Sequence, residues 1–152
     1  MNTSIPKAPP PVFFLVAIII MVLLNKYLPI GHWLYYPWRY LGIVLIVAGF
    51  VLGAGSALFF RKLGTNPRPG ARATRVVTSG PFRFTRNPMY IALTTMLIGV
   101  AILLGSFSPL AVIPVFFLLV RNLFVLKEEK LMEQWFGESY LEYKKRTPRW
   151  LW

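Results

Sequence analysis

The 152-residue sequence contains no cysteine, which excludes a disulfide framework, a thiolate zinc site and a thiol nucleophile. Its one histidine, His32, cannot build a metal cluster and argues against Cys–His or Ser–His catalysis. Placed beside Trp33 in a short loop, it reads as an interfacial residue. Acid is scarce as well. The five acidic residues are Glu128, Glu129, Glu133, Glu138 and Glu142, all in the C-terminal tail, so no carboxylate set exists elsewhere and no metal is expected as a partner. A soluble domain able to carry nucleic acid is also missing, so the net charge of +12 is read as contact with membrane lipid rather than with nucleic acid.

What is present is apolar. Residues AVILMFWYC make up 56% of the chain, above the roughly 45–50% usual for soluble domains, and they fall in four blocks. The pattern predicts an all-α, multi-span transmembrane helical bundle of about four spans in a single integral membrane domain, residues 1–152, followed by a C-terminal amphipathic interfacial helix. Residues 1–64 hold the first two spans; residues 65–152 hold a basic loop, a helical hairpin and the tail.

Residues 11–28 are long enough to cross if Lys26 snorkels to the interface. A signal peptide is the competing reading, but Asn25-Lys26-Tyr27 follows instead of a small-residue cleavage site. The loop 29–39 carries Trp33, Tyr35, Tyr36 and Trp38, residues suited to the headgroup belt. Residues 40–60 have no charge, and Gly49, Gly53 and Ala57 repeat at steps of four, a face that lets another helix approach closely. Residues 61–88 form a basic loop with seven arginines and lysines and no acid; its residues 75–78 are expected as a short extended piece. Spans three (89–104) and four (110–126) are joined by a tight turn and should form an antiparallel hairpin, with Pro114 and Arg121 interrupting the second arm. The tail 127–152 repeats apolar residues at three- and four-residue steps, should break near Gly137, and should lie at the interface or fold over the basic loop. Positive charge concentrated in the long loop and the tail places both, and the N-terminus, in the cytoplasm, with the chain in the cytoplasmic membrane.

The most chemically dense stretch is 80–90, Gly-Pro-Phe-Arg-Phe-Thr-Arg-Asn-Pro-Met-Tyr. Asn87 suits the N-cap and Pro88 the first position of span three. The stretch is either a loop ending in a capped membrane helix or a polar site held at the membrane face. Arg83, Arg86, Asn87 and Tyr90 lie on the same membrane side as Glu128 and Glu129. Arg121, seven residues before Glu128, aligns with it on one helical stripe and is either functional or a snorkelling anchor. Arginine, paired carboxylates and tyrosine, with no nucleophile and no metal set, suit a charged organic cofactor. Arginine grips a carboxylate with two hydrogen bonds, a glutamate receives ribose hydroxyls or an ammonium, and an aromatic face attracts a cation. S-adenosylmethionine has all of these groups.

The order of that stretch, a hydrophobic hairpin, and then Lys-Glu-Glu-Lys-Leu-Met-Glu-Gln-Trp-Phe-Gly-Glu-Ser-Tyr-Leu-Glu-Tyr-Lys-Lys-Arg-Thr-Pro-Arg-Trp-Leu resembles the isoprenylcysteine carboxyl methyltransferase and phospholipid methyltransferase superfamily. The resemblance runs from about Thr65 to the C-terminus. It implies a small helical membrane bundle whose C-terminal part holds S-adenosylmethionine at the cytoplasmic face, with a lipophilic acceptor arriving from the bilayer. The family's Arg-His-Pro-x-Tyr motif maps onto Arg86, Asn87, Pro88 and Tyr90, and its paired glutamates onto Glu128 and Glu129. The implied cofactor-binding residues are Arg83, Arg86, Asn87, Pro88, Tyr90, Glu128 and Glu129; the residues nearest the chemistry are Arg86, Asn87, Tyr90 and Arg121. Asn87 replaces a histidine and cannot carry a proton, and Ala92 stands where glycine is frequent, which weighs against a prenylcysteine substrate in particular. Two rivals remain: an NADPH-using reductase similar to the sterol reductases, and a membrane scaffold without activity.

Overall fold

The computed structural model describes residues 5–151. The described residues are helical, with no strands: α1 (Pro10–Tyr27), α2 (Leu41–Lys62), α3 (Pro88–Leu104), α4 (Val112–Val120), α5 (Leu126–Phe136) and α6 (Glu138–Arg146). Three helical stretches are long and apolar enough to cross a membrane: Pro10–Tyr27, Trp38–Lys62 and Ser108–Phe136. The apolar α3, 17 residues long, is one residue shorter than the first of these.

Helices α1 and α2 bury a narrow stripe and leave much of their apolar surface outside. In α1 the stripe is Pro10, Phe14, Ala17 and Met21, while Leu15, Val16, Ile19, Ile20, Val22 and Leu23 are exposed. That inversion suits hydrocarbon rather than water. Phe13 and Phe14 meet Phe124 and Phe116 edge-on at 5.5 and 6.4 Å.

Helix α3 is the hub. It packs against α1, α2 and α4, most closely against α2, where the buried residues are Gly42, Gly49 and Ser56 at steps of seven. A Cβ on Gly42 would stand 2.3 Å from the Gly99 carbonyl oxygen, and one on Gly49 would stand 2.8 Å from that of Ala92. The two backbones touch, and they run antiparallel, since Gly42 at the start of α2 meets Gly99 near the end of α3. The smooth face foreseen at Gly49, Gly53 and Ala57 is therefore used, but it is centred further toward Gly42; Ala57 is only half-buried.

Two expectations for the second half need correction. Pro114 does not interrupt the fourth span, because it falls in the first turn of α4, where proline is tolerated. The irregularity is instead a π turn over Arg121–Val125, in which the Leu126 N–H reaches back five residues to the Arg121 carbonyl. The tail is helical on both sides of the break expected near Gly137, and its first segment continues the fourth span. The helical run Ser108–Phe136 is continuous over 29 residues, or about 44 Å at 1.5 Å per residue, against a hydrocarbon core of about 30 Å. Its acidic end therefore projects beyond the lipid. The chain then turns at Gly137, where a positive φ of 49° ends α5, and α6 folds back over the basic loop. Residues 75–78, expected as extended, adopt no regular structure.

At one end of the bundle the two short connections close on each other. The Ile30 N–H donates to Ser108 Oγ at 2.8 Å, the Trp33 N–H to the Gly105 carbonyl at 3.1 Å, and Ser106 Oγ to Asn25 Oδ1 at 2.6 Å. Ser108 Oγ also donates to the Leu28 carbonyl. The basic loop, α5 and α6 gather at the opposite end, so all four apolar segments run between the same two faces.

Candidate functional site

At that opposite end, chain chemistry builds a polar niche. Gly80-Pro81 opens a 3-10 turn, Gly80–Arg83, that buries Phe82 against the ring of Phe60 at 5.1 Å. The next residues are tied to the C-terminal segment. The Arg86 N–H donates to the Pro148 carbonyl at 3.0 Å, and Thr85 Oγ1 and Asn87 Nδ2 both donate to the Arg149 carbonyl, at 2.9 and 3.1 Å. Asn87 holds the N-cap position of α3, but its side chain makes no capping bond, being committed to Arg149. Thr85 Oγ1 receives the Asn87 N–H at 3.2 Å in its place. Trp150 anchors the segment, its ring tilted against that of Phe117 at 4.7 Å beside the core.

These elements surround a cavity of about 770 Å³, open mouth included. The 66–73 part of the basic loop forms one wall, the start of α3 the floor, and α5 with α6 the remaining walls. Of the residues foreseen, Arg86, Asn87, Pro88, Tyr90, Glu128 and Glu129 line it together. Arg83 and Arg121 do not: Arg83 is exposed on the loop turn and Arg121 sits in the π turn. The cavity residues not foreseen as site residues include Arg68, Trp135, Tyr140 and Tyr143. The two tyrosines and Trp135 had looked like the apolar stripe of an interfacial helix, and only the turn at Gly137 brings that stripe onto the cavity.

The charges are arranged around Glu129. Arg149 engages its carboxylate with two hydrogen bonds, Nε to Oε1 at 3.0 Å and Nη2 to Oε2 at 2.7 Å. Arg86 Nη1 stands 3.0 Å from Oε1, with the two side chains only 8% and 6% exposed. That approach is an ion pair without hydrogen-bond alignment, so Arg86 Nε and Nη1 are buried with no hydrogen-bond partner. Each such donor costs on the order of 1–3 kcal/mol, and fold stability alone gives no reason to keep them. Glu128 is turned to Tyr90, whose hydroxyl donates to its Oε2 at 3.0 Å. Burial, then the negative charge of Glu129, pushes Tyr140 up to about 12, although the Arg86 guanidinium opposes the shift. Burial and Tyr140 likewise raise Tyr143, whose hydroxyl donates to the Phe82 carbonyl at 2.6 Å. Both phenols therefore stay neutral donors at physiological pH.

The sequence model of the phospholipid methyltransferase family matches residues 38–139, about two thirds of the chain. The chain belongs to the phospholipid methyltransferase family. It is thus a membrane protein of a methyltransferase family, and the matched segment contains Arg86, Asn87, Tyr90, Glu128 and Glu129 but ends before Tyr143 and Arg149. Among curated proteins, this family member is 28% identical over 79 residues to the nickel-cobalt-cadmium resistance protein NccN of Alcaligenes xylosoxydans xylosoxydans, covering 52% of this chain and 37% of that protein. It is 29% identical over 79 residues to the cobalt-zinc-cadmium resistance protein CzcN of Cupriavidus metallidurans, covering 52% and 36%. An uncharacterized protein of Haemophilus influenzae is 30% identical over 63 residues, 41% of this chain and the whole of that one. The chain thus spans little more than a third of the two resistance proteins. No solved structure matches it.

Proposed function

We propose that the protein is an S-adenosylmethionine-dependent methyltransferase acting on a lipophilic acceptor drawn from the bilayer, with the phospholipid-like acceptor favoured by the family match. The observation that carries this reading is Arg86: a buried guanidinium lining the cavity whose Nε and Nη1 make no hydrogen bond, Nη1 being held only by its ion pair with Glu129. A carboxylate fits such a donor pair. Tyr140 and Tyr143 add neutral donors, and Trp135, Phe60 and Phe82 supply aromatic faces for a cation. The donor set therefore fits the amino-acid end, the ribose and the sulfonium of S-adenosylmethionine.

When bound, that cofactor supplies an electrophilic methyl group. The chain's contribution is alignment and exclusion of water. Arg86 fixes the carboxylate end, and Glu128, held by Tyr90, is the one carboxylate of the cavity without an arginine among its hydrogen-bond partners. It is placed to hold or receive a proton from the acceptor. Met89, Leu131 and Met132, at the inner ends of α3 and α5, give the cavity an apolar side toward the bilayer.

The purified protein in lipid nanodiscs, incubated with methyl-labelled S-adenosylmethionine and a bacterial lipid extract, should transfer label to a lipid identified by mass spectrometry. Binding of NADPH instead of S-adenosylhomocysteine would overturn the reading. The seven basic residues of the 61–88 loop further support a cytoplasmic membrane location with both termini cytoplasmic. Reporter fusions at Gly70 and at the C-terminus should both report cytoplasm, and opposite reports would break that topology.

A further inference from the structure

Arg149 lies outside the matched family segment and is not among the cavity's lining residues, yet it controls the charge that the cavity presents. Its fork occupies both oxygens of Glu129, at 3.0 and 2.7 Å. Arg86, 3.0 Å from the same carboxylate, is left unaligned and without a hydrogen bond at Nε and Nη1. A carboxylate in a buried setting binds a lone guanidinium side-on through two parallel bonds. Here that geometry is taken by Arg149, and Glu129 meets Arg86 only through the unaligned ion-pair contact of Nη1 with Oε1 at 3.0 Å. Two guanidiniums against one carboxylate also leave this end of the cavity net positive. Three hydrogen bonds hold the Arg149 backbone segment in place, from the Arg86 N–H, Thr85 Oγ1 and Asn87 Nδ2 to the carbonyls of Pro148 and Arg149, as does Trp150 packed against Phe117.

We infer that Arg149 is a positioning residue: by taking the side-on geometry of Glu129 it limits that carboxylate to one unaligned contact with Arg86, whose guanidinium keeps donors for a carboxylate-bearing ligand. The inference rests on the proposed cofactor reading. Glu129 is then a positioning group too, rather than the partner for a ribose hydroxyl or an ammonium that its chemistry suggested.

The test is calorimetry in detergent with two probes: S-adenosylhomocysteine, which carries the amino-acid carboxylate, and 5′-methylthioadenosine, which lacks it. Arg149→Gln should weaken the first by about tenfold or more, because Glu129 captures Arg86, and leave the second within about twofold. Arg149→Lys, a point charge without the fork, should fall between. Adding Glu129→Gln to Arg149→Gln should restore much of the lost affinity, since the capturing carboxylate is gone. A merely structural Arg149 predicts otherwise: both probes weakened together, and the double variant no better than the single. Either result overturns the inference. Wild-type protein that binds neither probe overturns the cofactor reading itself, a separate outcome.

Discussion

The two ends of the helical bundle use polar groups in opposite ways. At the end of the short loops, Asn25, Ser106, Ser108 and the backbone of Ile30, Trp33 and Gly105 are satisfied by one another, and the result is a lock. At the other end a buried arginine has two nitrogens without hydrogen bonds and shares one carboxylate with a second arginine that holds it side-on, and the result is an open cavity. A chain that can pair its polar groups fully at one end has not done so at the other. The difference separates residues kept for the fold from residues kept for a ligand.

Substitutions should sharpen that contrast. The largest effect on binding is expected from Arg86→Lys. A point charge cannot reproduce the guanidinium fork, and losing a hydrogen bond to a charged group costs roughly 1.5–3 kcal/mol. S-adenosylhomocysteine affinity should therefore fall about ten- to a hundredfold, while the melting temperature stays close to wild type. Unchanged affinity in a folded variant would make Arg86 a structural residue. At the locked end the pattern should reverse. Asn25→Ala leaves the hydroxyl of Ser106, a fully buried residue, without its acceptor, at a cost of about 1–3 kcal/mol. Thermal unfolding in detergent should shift down, with ligand affinity unchanged. A loss of affinity there would mean that the two ends are coupled.

The smallest effect concerns alkali. Tyr140 is raised from 10.0 to about 12, by burial first and by Glu129 second. For a group whose folded value lies above its unfolded one, the stabilisation is complete below the unfolded value and lost as pH rises through the folded one. Stability measured by denaturation should therefore hold up to about pH 10 and decline toward pH 12, and Tyr140→Phe should flatten that decline. An unaltered profile in the variant would show that Tyr140 does not set it.

Much of the fold was legible because lipid leaves few choices. A chain in hydrocarbon must satisfy its backbone internally, so uninterrupted apolar runs give helices, and the boundaries read from charge lie within a few residues of those observed for α1, α2 and α3. Pro114 was misread because proline weakens a helix only past its first turn, and sequence alone did not place that turn. The site was legible in its residues rather than in its wiring. Arg86, Asn87, Tyr90, Glu128 and Glu129 stood out as polar groups at an apolar boundary, and they do share a cavity. Arg83 and Arg121 stood out for the same reason and do not.

The sequence by itself determined that this is a helical membrane protein with one basic, acid-free loop and a polar motif at the start of α3, because composition and periodicity act locally. Only the tertiary structure decided which carboxylate meets which arginine. Glu129 and Arg149 lie twenty residues apart, and the turn at Gly137, the return of α6 and the packing of Trp150 against Phe117 bring them together. Hydrogen-bond geometry, set within a few tenths of an ångström by that packing, makes Arg149 the side-on partner of Glu129 and leaves Arg86 with one unaligned contact.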